Sequence, residues 1–151
     1  MGHIERTIEI KTPPEKVWLL ITDFERLPEV VPEVEKFTIT SYRRSGAGMI
    51  VRQIGVESSG RYQYDFEVTE LIENKKIVLK SISAKGAVSG TKWEVSWTLN
   101  PTKIGTQLTY AADYKFPILF RIFGRSAIKR LETQVEGWLK NIRSKLEKQI
   151  D

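Results

Sequence analysis

The sequence predicts an α+β fold: a curved, seven-stranded antiparallel sheet wrapped around a long C-terminal helix, with two short helices after the first strand. Three observations lead there. Apolar and polar residues alternate with a period of two through most of residues 34–115. Short runs rich in glycine, serine, asparagine and lysine separate the alternating segments, so neighbouring strands are expected to pair as hairpins. After Phe116-Pro117 the pattern changes to helical spacing. The 151 residues contain no internal repeat, low-complexity segment or linker, and residues 1–151 read as a single domain.

Residues 3–11 place Ile4, Ile8 and Ile10 on one face and Glu5, Thr7, Glu9 and Lys11 on the other, a strand with one buried side. Thr12-Pro13-Pro14-Glu15 then opens a helix, with Thr12 as cap, proline in the first turn and Glu15 completing a capping box. Val17, Trp18, Leu20 and Ile21 form its apolar side. Asp23 reads as the cap of a second short helix through Leu27, ended by Pro28, so that two helices form a V. Further strands are expected near 34–43, 48–57, 60–72, 76–83, 90–100 and 105–115. Alternation is clearest for Tyr62, Tyr64, Phe66 and Val68, for Trp93, Val95, Trp97 and Leu99, and for Leu108, Tyr110, Ala112 and Tyr114. A meander of this kind has one wet face and one that needs cover. The final segment supplies it: Phe120, Gly124, Ala127, Leu131, Val135, Trp138 and Ile142 share one helical face, opposite Arg125, Lys129, Glu136, Lys140 and Glu147.

Composition narrows the chemistry. Hydrophobic residues make up 40% and charged residues 28%, which suits a folded globular chain. The absence of cysteine removes disulfides, thiolate zinc sites and cysteine nucleophiles. No stretch approaches the roughly 20 apolar residues of a membrane span, and the N-terminus lacks a hydrophobic signal region, so a cytoplasmic location is expected. The sequence contains no glycine-rich phosphate loop, metal-spaced His/Asp cluster or Gly-x-Ser-x-Gly turn, so neither cofactor nor metal is expected. The net charge of +5 is concentrated near the end, where Arg121, Arg125, Lys129 and Arg130 occur with no acid between Pro117 and Leu131. This is either a solvated helix face or a surface for anionic partners, such as an anionic membrane or an acidic protein. Nucleic acid is not expected as a partner, because no exposed strand face interleaves basic and aromatic residues.

The candidate site is aromatic. Tyr62, Tyr64, Phe66, Trp93, Trp97, Tyr110 and Tyr114 come from the sheet, with Phe116, Phe120 and Phe123 leading into the helix. These rings suit either a packed core or a ligand wall, and the inward tyrosines bring hydroxyls that need partners. Gly124 and Ala127, followed by Leu131, imply close packing, a kink or a volume left open toward the helix's N-terminal half. Leu27, Val30 and Val31 would border the entrance. Catalytic candidates are few. His3 reads as a surface residue, and Asp65, Glu67, Glu94 and Asp113 point away from the aromatic face by alternation. Arg52 stays ambiguous because both faces of its strand carry apolar residues. No residue is assigned a catalytic role.

Ile10 to Trp18, Asp23 to Pro32, Trp93 to Pro101 and Thr106 to Tyr110, followed by the long helix, carry a family resemblance. The chain resembles the polyketide cyclase/dehydrase branch of the START-like (SRPBCC) superfamily, and its Asp23 to Pro32 loop is similar to that of coenzyme Q-binding relatives. The resemblance implies a helix-grip fold with a cavity between sheet and helix. It further implies binding or carriage of a hydrophobic small molecule: a lipid, an isoprenoid or quinone, or a polyketide-like ring. A cyclase/dehydratase-type enzyme using the same cavity, with a tyrosine or Arg52 steering an enolate, is one alternative. An interaction module using the basic face of the last helix is another.

Overall fold

The first strand joins the last across one continuous sheet. The structure, a computed structural model, describes residues 2–57, 60–118 and 124–148. Its strands are β1 (Gly2–Ile10), β2 (Val34–Ile39), β3 (Ile50–Glu57), β4 (Gly60–Ile72), β5 (Lys76–Gly86), β6 (Lys92–Pro101) and β7 (Thr106–Lys115). All neighbours are antiparallel, in the order β1-β7-β6-β5-β4-β3-β2. Register shifts at Val34/Lys36, Asp65/Phe66 and Val68/Glu70 insert bulges. Bulges add twist and bend, which curls the sheet toward its apolar face. The long C-terminal helix lies in that curve, so this is the helix-grip arrangement.

Helix α1 (Pro14–Thr22) departs from the expected start. Pro13, not Thr12, occupies the cap position, and no side chain caps the helix. Pro14 suits the first turn because its φ is fixed and its missing N–H has no helical partner to lose. Thr12 therefore falls one residue too early. Its carbonyl accepts a hydrogen bond from Thr106 Oγ1 at 2.7 Å, while its own hydroxyl is buried with no hydrogen-bond partner among the described residues. Asp23 terminates α1 and does not open a second helix. In place of that helix is a single 3-10 turn over Leu27–Glu29, with Pro28 inside it. The proline starts a turn here and does not end one, again because an opening turn does not use its nitrogen. β2 stops at Ile39, shorter than expected, and β5 continues through Gly86, pairing Tyr62 with Gly86.

Helix α2 (Gly124–Lys148) packs unevenly. Val135, Trp138, Leu139, Ile142 and Leu146 are buried, whereas Leu131 is half-buried and Ala127 is exposed. The buried half joins Ile10, Val17, Ile21, Leu99 and Leu108 in the core. Each large apolar side chain buried there contributes about 1.5–3 kcal/mol. Polar bonds hold both flanks. On one side Arg6 reaches Glu132 at 2.7 Å and Glu136 at 3.2 Å, and the Lys11 amide donates to Glu147 at 3.0 Å. On the other, Trp138 Nε1 donates to Glu33 at 2.9 Å, Asn141 donates to the Val30 carbonyl at 3.0 Å, and Lys145 pairs with Glu29. Among the described residues no helix is long and apolar enough to cross a membrane.

Candidate ligand cavity

The uneven packing of α2 leaves a hollow. A cavity of about 590 Å³ lies between the concave face of the sheet and the N-terminal half of the helix. From the sheet, Tyr62, Tyr64, Phe66, Trp93, Trp97 and Tyr110 line it, because each occupies the inward position of a strand that alternates. Leu27 and Val31 border it beside the 3-10 turn, Phe116 follows β7, and Ala127 and Leu131 face it from α2. Ala127 is exposed because it stands over this hollow and its mouth, not over packed side chains. The small residues Gly124, Ser126 and Ala127 are thus where the helix covers open volume.

The rings are ordered by their neighbours. Tyr62 meets Tyr64 at a centroid distance of 5.6 Å, and Tyr64 meets Phe66 at 5.3 Å. Gly55, opposite Tyr62 in the register, makes room for that ring: a Cβ there would lie 2.5 Å from the tyrosine oxygen. Tyr62 accepts a bond from Gln53 Nε2 at 3.2 Å. Thr91 Oγ1 donates its one proton to the Val88 carbonyl at 2.7 Å, so in the 2.9 Å contact with Tyr64 the tyrosine donates. Trp93 Nε1 donates to the Tyr64 oxygen at 2.7 Å. Tyr110 is held between Trp97 at 4.9 Å and Trp138 at 5.7 Å, both edge-to-face. Burial, with a smaller effect from nearby Tyr64, pushes the Tyr110 phenol well above its ordinary pKa, so it stays neutral.

Other candidates are placed elsewhere. Tyr114 lies over Gly2, against Trp93 at 5.4 Å and Phe116 at 4.9 Å. It lines a second hollow of about 430 Å³ with Arg125, Lys129 and Glu132, on the other side of the first turns of α2. Phe120, Phe123 and Arg121 lie outside the described residues. Val30 is buried in the core and does not border the cavity. Arg52 is settled by its neighbour: it pairs with Asp65, its register partner, at 2.9 Å on the convex face, and so cannot steer an enolate inside. Glu94 and Asp113 are exposed register partners, and His3 is a surface residue bonded to Asp113 at 2.7 Å and Glu5 at 3.3 Å. Those carboxylates hold the His3 imidazole above its ordinary pKa.

Sequence reasoning missed several lining residues. Phe24 and Phe37 belong to segments without clear alternation, and Val51 and Gln53 to a strand that is apolar on both faces. Ala87, Val88 and Thr91 come from the β5–β6 turn, where periodicity carries no signal. Trp138 lies on the expected inner face, but its ring reaches the cavity from the solid half of the helix.

A helix gripped by a curved sheet over a largely apolar chamber defines a START-like domain. The chain belongs to the polyketide cyclase/dehydrase and lipid transport family, whose sequence model matches residues 1–147. Among curated proteins none matches the chain in sequence. Solved structures share its shape. The protein TTHA0849 from Thermus thermophilus is 22% identical with a TM-score of 0.80, over 99% of this chain and 100% of that one. The Zhui aromatase/cyclase from a Streptomyces species is 16% identical with a TM-score of 0.79, over 99% and 96%. A START superfamily protein from Mycobacterium smegmatis is 18% identical with a TM-score of 0.73, over 97% of each chain. At these identities the likeness establishes the fold.

Proposed function

We infer that the protein binds or carries an apolar small molecule, of the lipid, isoprenoid/quinone or polyketide-like kind, between its sheet and α2. What supports this is the chamber of about 590 Å³, within the range of about 300–1,000 Å³ usual for small-molecule sites. Its walls are mainly aromatic and aliphatic, with a few hydroxyls and amides, the make-up that gives a hydrophobic guest both contact area and orientation. The family's description, which includes lipid transport, points the same way. A cyclase- or dehydratase-type reaction in the chamber has less support. Among the described lining residues there is no carboxylate or imidazole, so proton transfer would fall to phenols.

The test is native mass spectrometry of protein purified without detergent, followed by thermal melts of stripped protein against lipids and polycyclic aromatics. The expected result is a co-purifying hydrophobe and a raised melting temperature with one ligand class. A clean apo mass with no thermal response to any member of the library overturns the reading.

A further inference from the structure

Apart from Ser126, Arg130 and Gln134 on α2, the polar side chains of the cavity wall fall into two kinds. Most are already used inside the protein: Trp93 Nε1 and Thr91 Oγ1 by Tyr64, Gln53 Nε2 by Tyr62, and Trp138 Nε1 by Glu33. Trp97 Nε1 and the Tyr110 hydroxyl differ. Both side chains are only 6% exposed and both line the cavity, yet neither polar atom has a hydrogen-bond partner among the described residues. Both residues line the chamber, whereas Thr12 Oγ1 is sealed in protein.

These two groups are neighbours by construction. Trp97 and Tyr110 are register partners on β6 and β7, with ring centroids 4.9 Å apart at 72°. Trp138 braces Tyr110 on another side at 5.7 Å. An indole N–H only donates, and a neutral phenol donates readily. Two donors on adjoining rings suit an oxygen with two lone pairs in one plane, which a carbonyl has. The oxygen must also be uncharged. Among the described lining residues Arg130 is the only charged one; it stands on α2, whereas Trp97 and Tyr110 stand on the sheet, and a carboxylate buried beside Trp97 would lose its hydration.

Resting on the binding role inferred above, we propose that Trp97 and Tyr110 form a two-donor site for a carbonyl oxygen of an otherwise apolar, uncharged ligand. Solvent meets these donors before the ligand enters, and the ligand's carbonyl displaces it.

The test compares 9-fluorenone with fluorene, which differ by the carbonyl, in equilibrium dialysis against wild type and Tyr110→Phe. The ketone should bind wild type about tenfold more tightly, and the preference should shrink to about threefold in the variant as one of two hydrogen bonds is lost. Phenylalanine keeps the ring contacts with Trp97 and Trp138, so the readout is the ratio of fluorenone to fluorene affinity within each protein. An infrared measurement needs no variant: the C=O stretch of ketone bound to wild type should lie below its value in a hydrocarbon solvent. Binding of both probes with no ketone preference, a preference undiminished by Tyr110→Phe, or an unshifted stretch overturns the two-donor site and leaves the apolar chamber standing. Failure of both probes to bind wild type overturns the site together with the binding role.

Discussion

Thr12 is only 1% exposed, and its buried hydroxyl has no hydrogen-bond partner among the described residues. A buried polar atom in that state costs about 1–3 kcal/mol relative to its hydrated form. Valine has nearly the same shape and no such debt. Thr12→Val is therefore expected to stabilise the protein by about 1 kcal/mol, seen as a rise of about 2–4 °C in melting temperature. A fall would mean that the hydroxyl finds a partner in solution. The same residue shows what residue type can and cannot reveal. Threonine before two prolines has the chemistry of a helix cap, but which residue takes the cap is fixed by where Pro14 begins the turn. Likewise the inward tyrosines were legible from alternation, whereas the direction of each hydroxyl depends on partners such as Thr91 that lie in a turn of another strand pair.

Period-two patterning places side chains on a face whatever the rest of the chain does, so β4, β6 and β7 were legible from residue order alone. The stretch after α1 was not, because Asp and Pro mark both the ends and the starts of turns. What holds that stretch is tertiary. Glu29, Val30 and Glu33 are tied to Lys145, Asn141 and Trp138 on successive turns of α2. Hydrogen bonds from Arg26 and then Lys145 hold the Glu29 carboxyl at a pKa of about 2, below its ordinary 4.5. A carboxylate whose pKa falls on folding stabilises the native state while it is ionised. That contribution is complete above about pH 4.5 and disappears as pH falls through about 2. In denaturant titrations across this range, wild type should exceed Glu29→Gln in stability at pH 6, and the gap should close by pH 2. A gap that does not change with pH would show that the ion pair adds nothing.

The whole molecule trades packing for volume. Along α2 the far half contributes Val135, Leu139, Ile142 and Leu146 to a solid core, while the near half spans open space. The small residues Gly124 and Ala127 hinted at this division. The cavity's outline was less legible, since it depends on the path the helix takes over the sheet. That path puts Tyr114 beside a separate hollow, although it shares a face with Tyr110. Filling the mouth should separate occupancy from folding. Ala127→Trp is expected to weaken binding of any apolar guest at least about tenfold while changing stability by about 0.5 kcal/mol, the helix-propensity cost at an exposed site. Dialysis and denaturant melts on the same variant measure the two effects, and undiminished binding would place the guest elsewhere.

Of the four tryptophans, Trp93, Trp97 and Trp138 border the chamber, and Trp18 is buried on α1 away from it. The ultraviolet emission of the protein is thus weighted toward the walls of its own compartment. Arrival of a guest, or loss of the water it replaces, will change the colour and brightness of that light without any attached dye.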